Sequence, residues 1–140
     1  MNAAEVFHDT NGVLYLLSED MAKADRAEEL LASGGRVSVQ VLNEFAAVAS
    51  RKLGMGWTDI GKILAQVRSV CPVDTLTIET HERGLAVASR YRINLYDAMI
   101  VSSALLAGCT LLYSEDMRDG QVFDRQLTVR NPFNRARPHN

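Results

Sequence analysis

The chain is 140 residues long, 47% hydrophobic and carries a formal net charge of −2, the size of one ordinary domain with a buried core and a squeeze for two. That charge gives no general electrostatic attraction to nucleic acid, whose binders usually carry a basic stripe, so a polyanion would have to be met locally. No apolar run is long enough to cross a bilayer, and MNAAEVFHD lacks the charged start and apolar middle of a signal peptide, so a cytoplasmic protein is expected.

Val6-Phe7-His8 reads as a short first strand, and Asp9-Thr10-Asn11 supplies capping chemistry for a helix through Leu14, Tyr15 and Leu17. A second helix is expected from Ala22 to Ala32, ended by Ser33-Gly34-Gly35, followed by a strand over Arg36-Val37-Ser38-Val39. From Gln40 to Lys52 the residues Val41, Leu42, Phe45, Val48 and Ala49 recur at helical spacing, with Glu44 at the margin of their stripe. A margin position can face a cleft. Trp57 to Val70 forms the next helix, with Thr58 as its expected cap, and Pro72-Val73 begins a third strand.

The helix from Ile78 to Tyr91 is expected to bury Ile78, His81, Leu85 and Ala88 along one side. Beyond a loop containing Asn94, Tyr96 to Ala107 is apolar nearly all round, as a helix covered by a sheet would be, and Gly108 ends it. Strands follow at Thr110 to Tyr113 and Leu127 to Val129. Short strands alternating with helices imply an α/β fold: a three-layer α/β/α sandwich around a short parallel sheet of about five strands. Residues 134–140 have no large apolar side chain and are expected to form a flexible tail. Cys71 and Cys109 lack CxxC or histidine companions and are expected to be reduced, buried thiols.

Asp9, Glu44, Asp97 and Asp116 lie far apart in sequence, yet each falls near a junction between an apolar run and a helix or loop. In a parallel α/β fold such junctions converge on one edge of the sheet. Carboxylates at roughly 4 Å repel by about 4 kcal/mol per pair at an effective dielectric near 20, which calls for a positive counterpart such as a divalent metal. Each acid also has a plain alternative: Asp9 as a helix cap, Glu44 as a solvated helix residue, Asp97 as the partner of an Asn94 cap, and Asp116 as loop chemistry beside Glu115.

Four segments in order, Phe7-His8-Asp9-Thr10-Asn11, Ser38 to Phe45, Tyr96-Asp97-Ala98 and Leu112 to Met117, together resemble a PIN-domain ribonuclease, and within that family are similar to the VapC-type toxins of toxin–antitoxin pairs. The resemblance runs from about Val6 to Phe133, a single PIN-like domain over residues 1–133. It implies that Asp9, Glu44, Asp97 and Asp116 form an acidic pocket for Mg²⁺ or Mn²⁺, with Thr10, Asn11, Ser38 and Ser114 at supporting polar positions. It further implies hydrolysis of RNA to 5′-phosphate and 3′-hydroxyl ends, a homodimer, and a small antitoxin partner through which DNA would be bound only indirectly. Two positions depart from the family pattern: His8 replaces an aliphatic residue, and Gly12 replaces a valine or isoleucine. Strand alternation turns His8 away from the side that Asp9 faces, so a packed histidine is expected there. Those departures keep a second reading in view, a catalytically weakened PIN-like module that binds RNA or a protein.

Rival chemistries lack their parts. A dehalogenase-like phosphatase needs a second aspartate where this chain has Asn11, and both it and a receiver domain need a late lysine, whereas none follows Lys62. Three scattered histidines and two lone cysteines offer no zinc ligand set. Arg51, Lys52, Arg90, Arg92, Arg118 and the C-terminal Arg125, Arg130, Arg135 and Arg137 are candidate RNA contacts, with solvated surface charge as the default for each.

Overall fold

The computed structural model describes residues 5–133, so the expected tail at 134–140, with Arg135 and Arg137, lies outside the described residues. In chain order the elements are β1 (Val6–His8), α1 (Thr10–Leu14), a 3-10 turn (Tyr15–Leu17), α2 (Met21–Ala32), β2 (Val37–Ser38), α3 (Val39–Leu53), α4 (Trp57–Val70), β3 (Val73–Asp74), α5 (Ile78–Tyr91), α6 (Leu95–Leu106), β4 (Leu111–Tyr113), β5 (Val122–Phe123) and β6 (Leu127–Arg130). Among them no helix is long and apolar enough to cross a membrane.

The architecture is the expected α/β sandwich, with a mainly parallel central sheet between helices, but that sheet has four strands rather than five. Its order is β1-β4-β6-β5, parallel except for the antiparallel β5-β6 pair. β2 and β3 form a separate parallel pair, joined to β1 by a single bridge in which His8 N–H donates to Arg36 O at 2.9 Å and Arg36 N–H to Val6 O at 2.8 Å. The pair is short because Ser38 leaves the strand to cap α3, its hydroxyl accepting from Val41 N–H.

β5 was not expected, and the turn explains why. Asp124 and Arg125 take φ of 51° and 57°, the geometry of a tight hairpin turn for which glycine or asparagine is the usual sequence signal. Here Asp124 is held from outside the hairpin: its carboxylate accepts from Tyr91 at 2.9 Å and Arg83 at 3.2 Å, and its N–H donates to the Tyr91 hydroxyl.

Two helix expectations are corrected. α4 is preceded by Gly56, with no side-chain cap, because Trp57 already belongs to the helix and Thr58 lies within its first turn. α5 buries Thr80, Gly84 and Val87, whereas Ile78 and Leu85 are 73% and 49% exposed and His81 is also exposed. The rotation follows from close packing: the Met99 thioether of α6 occupies the space a side chain at Gly84 would need. The smallest residues, rather than the largest apolar ones, therefore set the helix contact.

The core runs through Phe7, Val37, Val41, Phe45, Val101, Leu112, Phe123 and Val129, all within one cluster, and both cysteines are buried in it. His8 is buried as expected, and its Nε2 lies 2.7 Å from Gly34 O, which requires that nitrogen to carry the proton. Burial holds its pKa below the ordinary 6.5. Gly35, at φ +103°, makes room for that ring, since a Cβ there would lie 2.6 Å from Nε2 and 3.2 Å from Val6 O. Gly35→Ala is therefore expected to destabilise the fold by about 1–3 kcal/mol, measured as a lower denaturant midpoint with unchanged slope.

Candidate active site

Asp9 follows the last residue of β1, and its backbone N–H donates to Tyr113 O of β4 at 3.1 Å, which fixes it at the end of the parallel pair. It is also the N-cap of α1, one oxygen accepting from Thr10 N–H at 2.6 Å, while the other accepts from the Ser114 hydroxyl at 2.7 Å. Capping and display are thus one geometry. Ser114, just past β4, is itself buried, and its oxygen accepts from Met117 N–H at 3.2 Å, which shapes the turn that carries Asp116.

Asp116 is exposed and accepts from the Asn11 amide at 2.7 Å, linking the α1 start to the loop after β4. Glu44 accepts from the Thr10 hydroxyl at 2.5 Å and from the Gln40 amide at 3.2 Å. Asp97 lies in the first turn of α6, where it exchanges bonds with Asn94: its N–H donates to Asn94 Oδ1 and its carboxylate accepts from Asn94 Nδ2, each at 2.9 Å. The sequence left a choice between cap partner and cleft acid for Asp97; the fold makes it both.

All four acids line one cavity of about 340 Å³, together with Thr10, Asn11, Tyr96, Ile100 and a face of α3. Ser38 is not among its walls; fully buried, it acts on the site only by fixing the start of the helix that carries Glu44. Among the described residues no basic side chain is within salt-bridge distance of any of the four. Among the described residues Arg51 is the one basic residue in the cavity wall.

Burial pushes Asp9 up to about 6, opposed by its bonds from Ser114 and Thr10 and reinforced by the negative charges of Asp97 and Asp116. Burial also raises Asp97, opposed by Asn94 and reinforced by Asp116 and Glu44. The acids therefore sense one another electrostatically, although among the described residues no group of three or more His, Cys, Asp and Glu side chains is arranged to hold a metal ion unaided.

Two parts of the site had little sequence signal. Gln40 is buried, one helical turn before Glu44, and its amide donates both to Glu44 and to Tyr96 O at 3.1 Å, bracing α3 against α6. Its i, i+4 spacing to Glu44 was the available clue. Tyr15, whose hydroxyl donates to Glu115 while Lys23 approaches both, ties the turn after α1 to the loop bearing Asp116. Nothing local marks that contact between residues so distant in sequence.

A family model of the PIN domain matches residues 6–125, and the chain belongs to that family. Its fold is similar to that of VapC20 from Mycobacterium tuberculosis, described as a toxin that cleaves the sarcin-ricin loop, with TM-score 0.65 and 21% identity over 79% of this chain and 89% of that one. It is likewise similar to a chain of a toxin–antitoxin complex from Klebsiella pneumoniae, with TM-score 0.66 and 20% identity over 91% and 98% of the two chains. A chain of VapBC2 from Rickettsia felis, bound to a DNA fragment from its promoter, aligns with TM-score 0.65 and 16% identity over 90% and 97%. No curated protein matches the chain in a sequence search.

The raised Asp9 value has a definite sign. A carboxyl whose folded pKa lies near 6, above its ordinary 3.8, adds stability that is complete below 3.8 and is lost as pH rises through about 6. At pH 7.5 and without divalent ions, Asp9→Asn is expected to melt higher than the wild type, by the equivalent of roughly 2–3 kcal/mol, with the gap closing towards pH 4. Thermal melts in chelator across that range check it.

Proposed function

We propose that this chain is a metal-dependent endoribonuclease and the toxin of a toxin–antitoxin pair. The observation that carries the reading is the cavity itself: four carboxylates from four separate segments, with no cation paired to any of them among the described residues. Family membership and the described activity of VapC20 support it.

The donor set fits a hard divalent cation, since carboxylate oxygens are what Mg²⁺ and Mn²⁺ prefer. The lack of a ready-made group of three side-chain ligands fits as well, because Mg²⁺ commonly keeps several waters and takes only one or two carboxylates directly. In this reading Asp9 and Asp97 hold the principal ion, Asp116 positions it or its water, and Glu44 supports a second ion or orients the nucleophile. When bound, such an ion supplies a water of lowered pKa and positive charge opposite the phosphate.

The rest is work of the chain's own side chains. Ser114 and the Thr10 amide fix both oxygens of Asp9, so that it presents a defined face to the cavity. Thr10 with Gln40 does the same for both oxygens of Glu44, while Asn94 and Asn11 each hold one oxygen, of Asp97 and of Asp116, and leave the other open to the cavity's occupant. Water adds across a P–O bond of the RNA, and the resemblance implies that the phosphate stays on the 5′ end and the hydroxyl on the 3′ end.

A homodimer and a small antitoxin complete the proposal, with operator DNA reached through the antitoxin. The Klebsiella complex and the promoter-bound Rickettsia complex support the antitoxin partner and the indirect DNA contact. An arginine from the antitoxin would suit the cavity, because a guanidinium pairs with a carboxylate through two hydrogen bonds.

Asp97→Asn is expected to reduce RNA cleavage on the order of 100-fold or more while leaving the circular dichroism spectrum unchanged, and chelator is expected to abolish wild-type cleavage with recovery on added Mg²⁺ or Mn²⁺. Sequencing RNA ends after brief induction, beside the Asp97→Asn control, reads both the activity and the target. A purified chain that binds RNA but never cuts it with either ion would instead establish the non-catalytic module.

A further inference from the structure

The cavity must admit a polyanion, yet its side chains are predominantly acidic or uncharged. The exception is Arg51. On α3 the residues Glu44, Ala47, Val48 and Arg51 follow i, i+3, i+4, i+7 spacing, and all four line the cavity, which sets the guanidinium two helical turns from Glu44 on the same face. Arg51 is exposed, its Nε reaches only the Ala47 carbonyl within its own helix at 3.5 Å, and among the described residues it forms no ion pair. A cation that neutralised the acids as a structural partner would be drawn onto a carboxylate. This one stands in the wall bonded only within its own helix.

Tyr96 lines the same cavity and remains 68% exposed. Its backbone is fixed from two sides: its carbonyl accepts from the Gln40 amide, and the following Asp97 is held by Asn94. A fixed backbone carrying an exposed phenol beside a catalytic acid is suited to stacking a base, and unpaired bases are commonly held on aromatic side chains.

We propose that Arg51 and Tyr96 are the substrate-binding residues of this cavity, Arg51 taking one backbone phosphate of an RNA strand and Tyr96 stacking one of its unpaired bases. The inference rests on the nuclease reading for the identity of the strand and extends it to two side chains with separable signatures. A phosphate contact contributes to salt dependence, with a slope near −0.7 per phosphate on a single strand, whereas a stacking contact does not.

Binding of a fluorescent single-stranded RNA is measured by anisotropy at several salt concentrations in the Asp97→Asn background, where the strand stays intact. Adding Arg51→Gln is expected to weaken binding on the order of tenfold at low salt and to flatten the salt slope by about 0.7. Adding Tyr96→Ala is expected to weaken binding on the order of tenfold with the slope unchanged, Tyr96→Phe to restore it, and a duplex of the same sequence to ignore Tyr96. An unaltered slope in Arg51→Gln, failure of Tyr96→Phe to rescue, equal sensitivity of the duplex, or no RNA binding in this background overturns the proposal. Wild-type cleavage is scored separately: binding with these signatures but without cutting removes the nuclease reading alone, while cutting with indifferent variants removes this inference alone.

Discussion

Asp9 is a carboxylate held almost wholly out of water beside other carboxylates, and the surrounding structure is arranged around the cost of that placement. Desolvation is its largest perturbation, and the nearby acids add to it. Two donors, the Thr10 amide and the Ser114 hydroxyl, stabilise the charge without neutralising it. Both come from junctions of the adjacent parallel strands β1 and β4, so the register that pairs His8 with Tyr113 is also what brings Asp9 and Ser114 together. A slip of one residue in that pairing would turn these side chains towards different faces of the sheet.

Around this point the acids are connected by neutral donors rather than by cations. Thr10 and Gln40 reach Glu44, Asn11 reaches Asp116, and Asn94 reaches Asp97. Such bonds orient a carboxylate and leave its charge in place, whereas an arginine or lysine partner would cancel it. Asp124 differs in having cations as well as a neutral donor: the Tyr91 hydroxyl, then Arg83 and Arg90, hold its pKa below the ordinary value. One acid serves the backbone of a hairpin; the others keep charge available within a cavity.

The polar side chains that connect the site also connect the fold. Gln40 joins α3 to α6, Tyr15 and Lys23 join the α1 and α2 region to the loop after β4, and Asn11 spans the same gap to Asp116. A substitution at any of these positions would therefore act on the acids through their positions, not through the charge of the site. His8 belongs to a different class. It replaces an aliphatic strand residue, but it is packed beneath Gly35 with its proton committed to Gly34 O, away from the cavity lining.

The sequence by itself determined the elements other than β5 and which acids stand at their ends, because those properties are local: the apolar periodicity of α3, the capping chemistry of Asp9 and Asn94, and the breaks at Gly34-Gly35 and Gly108 each act over a few residues. It also carried, in four ordered segments, the likeness to the family to which the chain belongs. Tertiary structure decided what depends on distant neighbours. The Asp124-Arg125 turn exists because Tyr91 and Arg83 hold it, α5 presents Gly84 rather than Leu85 because Met99 must fit against it, and Gln40 becomes a brace because Tyr96 lies beside it. A sequence lists donors, small residues and charges, but whether any of them meet depends on side chains brought together only when the sheet and its helices have packed.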